Sequence, residues 1–160
     1  MKSDLDLNHF MFEAIELSIR NVREGKGGPF AAVVVREGKI IAMGTNLVTS
    51  TNDPTAHAEI VAIREACKVL KSFQLEGCEI YTTCEPCPMC VGAIYWARPS
   101  KVFYGNTRKD AAKIGFDDSL IYNELPKPIS KRKIPMIRCM KEEALVAFLE
   151  WEKKADKIAY

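Results

Sequence analysis

The strongest constraint on the fold is the segment 83–90, which reads Thr-Cys-Glu-Pro-Cys-Pro-Met-Cys. It ends an apolar run typical of a β-strand, and Pro88 suits the first position of an α-helix, where its missing N–H costs nothing. We therefore expect Cys87 to cap this helix and Cys90 to be its third residue. The partial positive charge of a helix N-terminus favours thiolates over thiols. The segment thus predicts a strand–helix junction at which two sulfur atoms can bind one ion.

A second motif, His57-Ala58-Glu59, follows a proline that marks another helix start, so His57 is expected in the first turn. Side chains there tilt toward the helix N-terminus, and both His57 and Glu59 can reach the space beyond it. One histidine and two cysteines are ligands that zinc prefers, and three of them leave a fourth position open. His-x-Glu followed by Pro-Cys-x-x-Cys is the signature of zinc-dependent deaminases. The sequence predicts one zinc ion per subunit, bound by His57, Cys87 and Cys90.

Glu59 lies between the predicted ligands, where a carboxylate can take a proton from water and pass it to a substrate. Zinc lowers the pKa of bound water toward about 7, which allows hydrolysis at neutral pH. Two other interpretations are a helix-dipole role for Glu59 and a redox pair formed by Cys87 and Cys90. We favour the zinc interpretation, because a redox pair needs no upstream His-x-Glu. The sequence does not tell which ring nitrogen of His57 would bind the metal.

Length and charge set the class of protein. The chain has 160 residues, the size of a single domain (1–160), with 23 Lys and Arg against 21 Asp and Glu. This near-neutral balance argues against a dedicated nucleic-acid surface. No run approaches the ~18 apolar residues of a membrane span, and no signal peptide is recognisable at the start. We expect a cytoplasmic protein with reduced cysteines, no membrane partner and no nucleic-acid partner.

Alternating apolar patterns predict an α/β sandwich with a mixed sheet. Residues 30–45 read as a β-hairpin, and the segment 123–134 has no clear pattern. The predicted helices cover residues 8–24, 56–70, 87–97, 107–113 and 142–157, and the predicted strands cover 30–36, 39–45, 78–83, 101–104 and 135–140.

Several longer stretches resemble one family, the small bacterial guanine deaminases of the cytidine deaminase superfamily. The likeness runs over about residues 27–122 and returns at Tyr160, and Ala31 departs from it by replacing a glycine. The metal motifs are shared with tRNA adenosine deaminases and cytosine deaminases, whereas Gly-Phe-Asp-Asp is more discriminating. The stretches are Asn-Asp-Pro-Thr-Ala-His-Ala-Glu at 52–59, Cys-Glu-Pro-Cys-Pro-Met-Cys at 84–90, Gly-Ala-Ile-Tyr-Trp-Ala-Arg-Pro at 92–99 and Gly-Phe-Asp-Asp-Ser at 115–119.

The resemblance implies a three-layer α/β/α sandwich with a five-stranded mixed sheet. It also implies a homodimer that exchanges C-terminal segments, and hydrolysis of guanine, a purine, to xanthine and ammonia. By the same resemblance, Asp118 would be a second acid near the departing amino group, and Tyr160 would close over the site of the partner subunit. The residues expected to contact the base are Asn46, Phe30, Ala58, Trp96 and Tyr160.

Without the resemblance, these residues have ordinary structural interpretations. Asn46 would be a turn asparagine, and Phe30 and Trp96 would be core residues. Asp118 would be solvated or would cap a turn, and Tyr160 would be a frayed end.

Two alternatives to guanine hydrolysis stay open at this point. The substrate could be guanosine, cytosine or tRNA adenosine, because the metal motifs do not separate these deaminases. The protein could also be a structural zinc module, in which Cys84 supplies a fourth ligand and closes the site. Against the second alternative, Glu59 would then have no purpose, and a chain of this length needs no metal to fold.

Overall fold

The computed structural model describes residues 4–160, and these separate into two compact units. The N-terminal unit ends at Asp118, and the C-terminal unit is Ser119–Tyr160. The N-terminal unit contains the helices α1 (Asp4–Arg23), α2 (Val48–Thr51), α3 (Ala58–Leu70), α4 (Pro88–Ala97) and α5 (Arg108–Lys113), and the strands β1 (Ala31–Arg36), β2 (Lys39–Thr45), β3 (Cys78–Cys84) and β4 (Lys101–Asn106).

The four strands form one mixed sheet in the order β2-β1-β3-β4. Strand β1 pairs antiparallel with β2 and with β3, whereas β3 and β4 are parallel. Glu37 and Gly38 both have positive φ, as a tight hairpin turn between β1 and β2 requires. The parallel step from β3 to β4 passes through α4, so the helix that begins at Cys87 lies at the carboxyl end of β3.

Both faces of the two central strands, β1 and β3, are buried. Ala32 and Val34 of β1 face the layer formed by α3 and α4, where they pack with buried alanines such as Ala62. Val33 and Val35 alternate to the other face and pack with Phe10, Ala14 and Tyr81, so α1 forms the third layer. A strand buried on both faces reads as an uninterrupted apolar run. The three-layer α/β/α prediction is therefore confirmed.

One glycine fixes how closely α3 lies on the sheet. A Cβ atom at Gly44 of β2 would lie 2.3 Å from the carbonyl oxygen of Ala58 and 2.4 Å from the backbone nitrogen of Ala62. The backbones of β2 and α3 are therefore in direct contact at this point. This contact sets the height of the first turn of α3 above the sheet.

The predicted fifth strand is wrong. Residues 135–140 form neither strand nor helix, and within residues 4–160 the sheet has four strands. A strand exists only where its backbone hydrogen-bonds to a neighbour, and the apolar pattern of this segment carried no information about a partner. The boundaries elsewhere differ from the predictions by a few residues, and α3 begins at Ala58 rather than at Ala56.

The C-terminal unit contains α6 (Ser119–Glu124), a short 3₁₀ turn (Ile129–Lys131) and α7 (Lys141–Lys153). The Glu124 carboxylate holds its loop together, because it bonds Lys127 Nζ at 2.5 Å and the backbone nitrogen of Lys133 at 2.6 Å. No residue of this unit is buried. Across residues 4–160, no helix is both long and apolar enough to cross a membrane.

Candidate metal centre

Two helix N-termini carry the predicted ligands. Cys87 is the N-cap of α4 in an extended conformation, Pro88 is the first helical residue, and Cys90 is fully buried in the first turn, as expected. His57 is the N-cap of α3 rather than a residue of its first turn. The difference arises just before α3, where the Asp53 carboxylate accepts a hydrogen bond from the backbone nitrogen of Thr55 and holds a turn.

The three ligand atoms lie in one cluster. His57 Nδ1 lies 3.5 Å from Cys87 Sγ and 3.6 Å from Cys90 Sγ, and the two sulfur atoms are 3.6 Å apart. Nδ1 is therefore the ring nitrogen of His57 that faces the sulfurs. Within the part of the chain that the structure describes, this is the one group of three or more His, Cys, Asp and Glu side chains close enough to share a metal ion.

The spacing of these atoms fits a zinc ion. Zinc–sulfur bonds of about 2.3 Å and zinc–nitrogen bonds of about 2.0–2.1 Å at tetrahedral angles place two sulfurs about 3.8 Å apart and a sulfur and a nitrogen about 3.6 Å apart. The observed distances lie within about 0.2 Å of these values, which is the agreement a metal site should show. The donor set also matches, since one imidazole and two thiolates are typical of zinc.

The two cysteines have opposite proton affinities. The hydrogen bond that their sulfur atoms share is the largest cause that lowers the pKa of Cys87, to about 4, and that raises the pKa of Cys90. A hydrogen bond with Cys87 likewise raises the pKa of His57. The cluster therefore holds one thiolate at neutral pH, which is the form of cysteine that binds metals.

Glu59 contacts this cluster from inside the protein. Its side chain is 6% exposed, and its carboxylate oxygens lie 3.5 Å from Cys90 Sγ and 3.3 Å from Thr82 Oγ1. Burial is the main cause that raises the pKa of Glu59 above its ordinary value. A carboxylate with increased proton affinity is suited to accept and return a proton during a reaction. The sequence analysis missed Thr82, although two adjacent threonines in an apolar strand are a signal for a buried polar contact.

Cys84 is not part of the cluster. It is buried at the end of β3, and its thiol points to the carbonyl oxygen of Thr107 at 3.7 Å. Burial is the main cause that raises its pKa to about 11, so the group stays a thiol at neutral pH. Three ligands and an open fourth position therefore describe this geometry better than a closed four-ligand site.

Asn46 directly follows β2, is separated from α2 by Leu47 alone, and is buried. Its Oδ1 accepts hydrogen bonds from the backbone nitrogens of Gly28 and Val48, at 3.3 and 3.4 Å. The side-chain acceptor is thus occupied by the protein, and the side-chain donor Nδ2 is the atom left to face a ligand.

Phe30 and Asp118 lie in neighbouring parts of the N-terminal unit. The ring of Phe30 packs edge-on against Phe116, with ring centroids 4.8 Å apart, so the loop that carries Asp118 is anchored beside Phe30. Burial chiefly raises the pKa of Asp118, and the negative charge of Cys87 raises it further. Asp118 therefore lies near enough to Cys87 for the charge of that thiolate to act on it.

The remaining predicted base contacts differ in their placement. Ala58 is fully buried between His57 and Glu59. Trp96 lies on α4 with 62% of its surface exposed, which excludes the core-packing interpretation within one copy of the chain. Tyr160 lies in the C-terminal unit and is exposed as well.

A three-layer α/β/α fold with one histidine, two cysteines and a buried glutamate at two helix N-termini defines a zinc-binding deaminase domain. Comparison with known families agrees, because residues 5–106 match the cytidine and deoxycytidylate deaminase zinc-binding region. The chain belongs to this family.

Individual relatives cover nearly the whole chain. It is 54% identical over 156 residues to the guanine deaminase of Bacillus subtilis, which is 96% of this chain and 100% of that protein. The X-ray structure of guanine deaminase from Bacillus subtilis superposes with a TM-score of 0.93 at 54% identity, over 96% of this chain and 98% of that chain. The tRNA-specific adenosine deaminase of Aquifex aeolicus is 36% identical over 91% of this chain and 93% of that protein.

Proposed function

We propose that the protein is a zinc-dependent guanine deaminase, which hydrolyses guanine to xanthine and ammonia. The observation that carries this proposal is the 54% identity to the Bacillus subtilis guanine deaminase over that protein's full length. The geometry of the site supports the same chemistry, because His57, Cys87, Cys90 and Glu59 meet at one point.

The proposed mechanism assigns proton transfer to Glu59. Zinc, bound by His57, Cys87 and Cys90, would supply a Lewis acid that lowers the pKa of water at the open position. Glu59 takes one proton from the attacking water and gives it to the ring nitrogen beside the carbon that bears the amino group. It then carries the second proton of that water to the amino group, which leaves as ammonia. The raised pKa of Glu59 favours its acceptance of a proton.

We assign Asp118 to the departing amino group as a second acid. Two observations support this role: the pKa of Asp118 is raised by burial, and it is raised further by the charge of Cys87. The contact between Phe30 and Phe116 also anchors the loop that carries Asp118 beside the proposed base site, where a carboxyl group with a raised pKa can assist a proton transfer.

Binding of the base is assigned to Asn46, Phe30, Ala58 and Trp96. The Oδ1 atom of Asn46 is held by two backbone N–H groups, so its Nδ2 donates to an acceptor on the purine. Phe30 offers an aromatic wall that Phe116 supports. Ala58 keeps the space between the proposed metal ligand His57 and the carboxylate of Glu59 small. Trp96 is assigned to the rim of the site.

We further propose that residues 1–160 act as one deaminase domain in a homodimer whose C-terminal segments are exchanged. The support is the surface of α7, which leaves a set of large apolar side chains exposed within one copy. An apolar surface of this kind is typical of an interaction site. In this arrangement Tyr160 of the partner subunit covers the base. The exposed residues are Leu145, Val146, Phe148, Leu149 and Trp151.

The cytoplasm is the proposed location. All six cysteines lie in the described part of the chain, and none forms a disulfide. Cysteines kept as thiols are typical of a reducing compartment.

The substrate is tested by ammonia release from purified, zinc-loaded protein with guanine, guanosine, adenine, cytosine and a tRNA that contains the target adenosine. We expect activity with guanine to exceed that with every other substrate. Activity confined to tRNA would instead assign the chain to the function of its Aquifex aeolicus relative. Activity confined to cytosine would be compatible with the proposed mechanism but would show that guanine is not the substrate.

The structural-zinc alternative is tested with Cys84→Ala. We expect this variant to keep its zinc and most of its turnover, because Cys84 Sγ points to Thr107 and not to the cluster. Cys90→Ala is the matched control and should lose the metal by elemental analysis. Loss of zinc from Cys84→Ala would favour a closed site with four protein ligands.

A further inference from the structure

Asn21 is a buried polar residue that the mechanism does not use. It lies on α1 and is 2% exposed. Its Nδ2 donates two hydrogen bonds, to the carbonyl oxygen of Gly28 at 3.0 Å and to the carbonyl oxygen of Asn46 at 2.9 Å. One side-chain amide on a helix therefore holds two separate loops of the N-terminal unit.

The same two loops meet again at the side chain of Asn46. Asn46 Oδ1 accepts hydrogen bonds from the backbone nitrogens of Gly28 and Val48, and the backbone nitrogen of Asn46 donates to Phe30 O at 3.0 Å. We call the place where the two loops meet the Gly28–Asn46 junction. Asn21 holds it through the backbone carbonyl groups of Gly28 and Asn46, whereas Asn46 holds it through its own side chain. A change at Asn21 is thus transmitted directly to Asn46.

The junction has no spare room. A Cβ atom at Gly27 would lie 2.0 Å from the carbonyl oxygen of Asn46, so the loop before Gly28 is in backbone contact with that carbonyl. The loop cannot move toward Asn46 to compensate for a lost hydrogen bond. It can only move away, and that movement would lengthen the bond from Gly28 N to Asn46 Oδ1.

The arrangement also has an unfavourable part. The Oδ1 atom of Asn21 is buried and has no hydrogen-bond partner among the residues that the structure describes. An unpaired buried acceptor destabilises a fold. The unpaired Oδ1 therefore gives no reason for an amide at position 21. The two hydrogen bonds that Nδ2 donates do give one, because they hold the Gly28–Asn46 junction together.

We propose that Asn21 is a positioning residue that orients the Nδ2 of Asn46 toward the purine and so sets the affinity for the base. The inference rests on the proposed function, because it takes Asn46 as the residue that binds the substrate. It assigns Asn21 no contact with the substrate or the metal.

The first test is Asn21→Leu, which keeps the approximate volume and removes both donors. We expect the KM for guanine to rise by roughly 3- to 10-fold, the effect of losing about one neutral hydrogen bond. The kcat should change little, because Asn46 contacts the base equally before and during the reaction. Asn21→Ser, a smaller change, should shift KM in the same direction and serves if the leucine variant does not fold.

Ser18→Ala is the matched control. Ser18 lies one turn earlier on the same face of α1 and is also buried, but within the described part of the chain its hydroxyl donates to Ile15 O of its own helix alone, at 2.7 Å. This variant should lose some stability with no change in KM. Equal KM shifts in Ser18→Ala and Asn21→Leu would reduce Asn21 to a structural residue and overturn the proposal.

A double-mutant cycle tests whether Asn21 acts through Asn46. In an Asn46→Ala background, Asn21→Leu should raise KM no further, because the group that Asn21 orients is already gone. Additive increases in KM would show that Asn21 acts by another route and would contradict the inference.

Amide hydrogen exchange separates failure of this inference from failure of the proposed function. The backbone nitrogens of Gly28 and Val48, which bond Asn46 Oδ1, should exchange faster in Asn21→Leu than in wild type and should be unchanged in Ser18→Ala. If wild type deaminates a different base, that base replaces guanine in the kinetic tests. If it deaminates none, the proposed function fails, and the exchange result alone decides whether Asn21 holds Asn46. Unchanged exchange in Asn21→Leu would overturn the inference in either case.

Discussion

The two units of the chain bury their apolar residues to very different extents. In the N-terminal unit, β1 is buried on both faces and α3 packs its small residues Ala62 and Ala66 fully out of solvent. In the C-terminal unit no residue is buried, and α7 leaves Phe148 73% exposed and Leu149 44% exposed. The amphipathic pattern of a helix therefore predicts that its apolar face will be covered. It does not predict which surface covers that face.

The difference also explains where the cluster of His57, Cys87 and Cys90 lies. Catalytic geometry requires side chains whose rotamers are held by packing on all sides. Cys90 and Glu59 meet this condition, since both are buried on helices that rest on a packed sheet. A unit without a buried residue of its own can add a cover to such a site but cannot hold its ligands.

The largest expected effect is in Glu59→Gln, which tests whether the N-terminal unit contains the chemistry. Turnover should fall by about 10² to 10⁴ or more, because the amide keeps the shape of the side chain but carries no proton. Zinc content should stay the same. Glu85→Gln is the control, since the Glu85 carboxylate accepts a hydrogen bond from the backbone nitrogen of Arg108 and is not assigned to the reaction. Near-normal activity of Glu59→Gln would remove this residue from the mechanism.

A pair of equal truncations measures the contrast in burial directly. Ile80→Ala in β3, where the side chain is fully buried, should lower the free energy of unfolding by about 2–5 kcal/mol. In the proposed dimer a second copy covers α7, so Leu149→Ala should cost a comparable amount, whereas a change of no more than about 0.5 kcal/mol would show that α7 is exposed in solution and would contradict the dimer. Chemical denaturation measures both. A loss at Leu149 as large as that at Ile80 would show that a second copy covers α7, as the proposed dimer requires.

Deletion of residues 158–160 tests whether the C-terminal unit takes part in catalysis. We expect zinc to stay bound and guanine deamination to fall on the order of 10²-fold, the penalty typical of a lost closing element.

Mixing the truncated protein with Glu59→Gln tests exchange, because a mixed dimer joins an active Glu59 site to an intact tail. Recovered activity supports a tail that acts on the partner. If mixed dimers form but show no recovered activity, the tail acts on the site of its own subunit. Full activity of the truncated protein alone would show that Tyr160 is a frayed end without a function in catalysis.

The smallest effect is expected at the boundary between the two units. Asp118→Asn should lower kcat by roughly tenfold, a part of what acid–base assistance typically contributes, with zinc content and stability unchanged. Asp117→Asn is the matched control one residue earlier and should be milder in the same ammonia-release assay. The reverse order would show that the roles of the two aspartates are interchanged.

The cluster of His57, Cys87 and Cys90 was predictable from sequence because the placement of these residues is local. A proline after Cys87 fixes the start of α4, and the Cys-x-x-Cys spacing then puts both sulfurs at one end of that helix. The start of α3 was less accurate, because a side-chain turn at Asp53 delays the helix until His57 is its cap.

Long-range pairing set the limit of the sequence analysis. The prediction of a fifth strand was wrong because an apolar pattern does not indicate the strand with which a segment would pair. The partners of Asn21 and Thr82 were equally hidden, since each bonds a residue more than twenty positions away. A polar residue within an apolar pattern signals that a partner exists, while the tertiary fold decides which one.

The contact at Gly44 has a consequence for directed evolution of the substrate range. Because β2 touches the first turn of α3 with no side chain between them, a methyl group at Gly44 would push directly on Ala58, the neighbour of both His57 and Glu59. By contrast, an added Cβ at Gly92 of α4 meets no atom within 4 Å among the described residues outside the neighbouring backbone of its own helix. Libraries that alter the pocket should therefore keep Gly44 constant and place their diversity elsewhere, since a change at that position would displace His57 and Glu59 together.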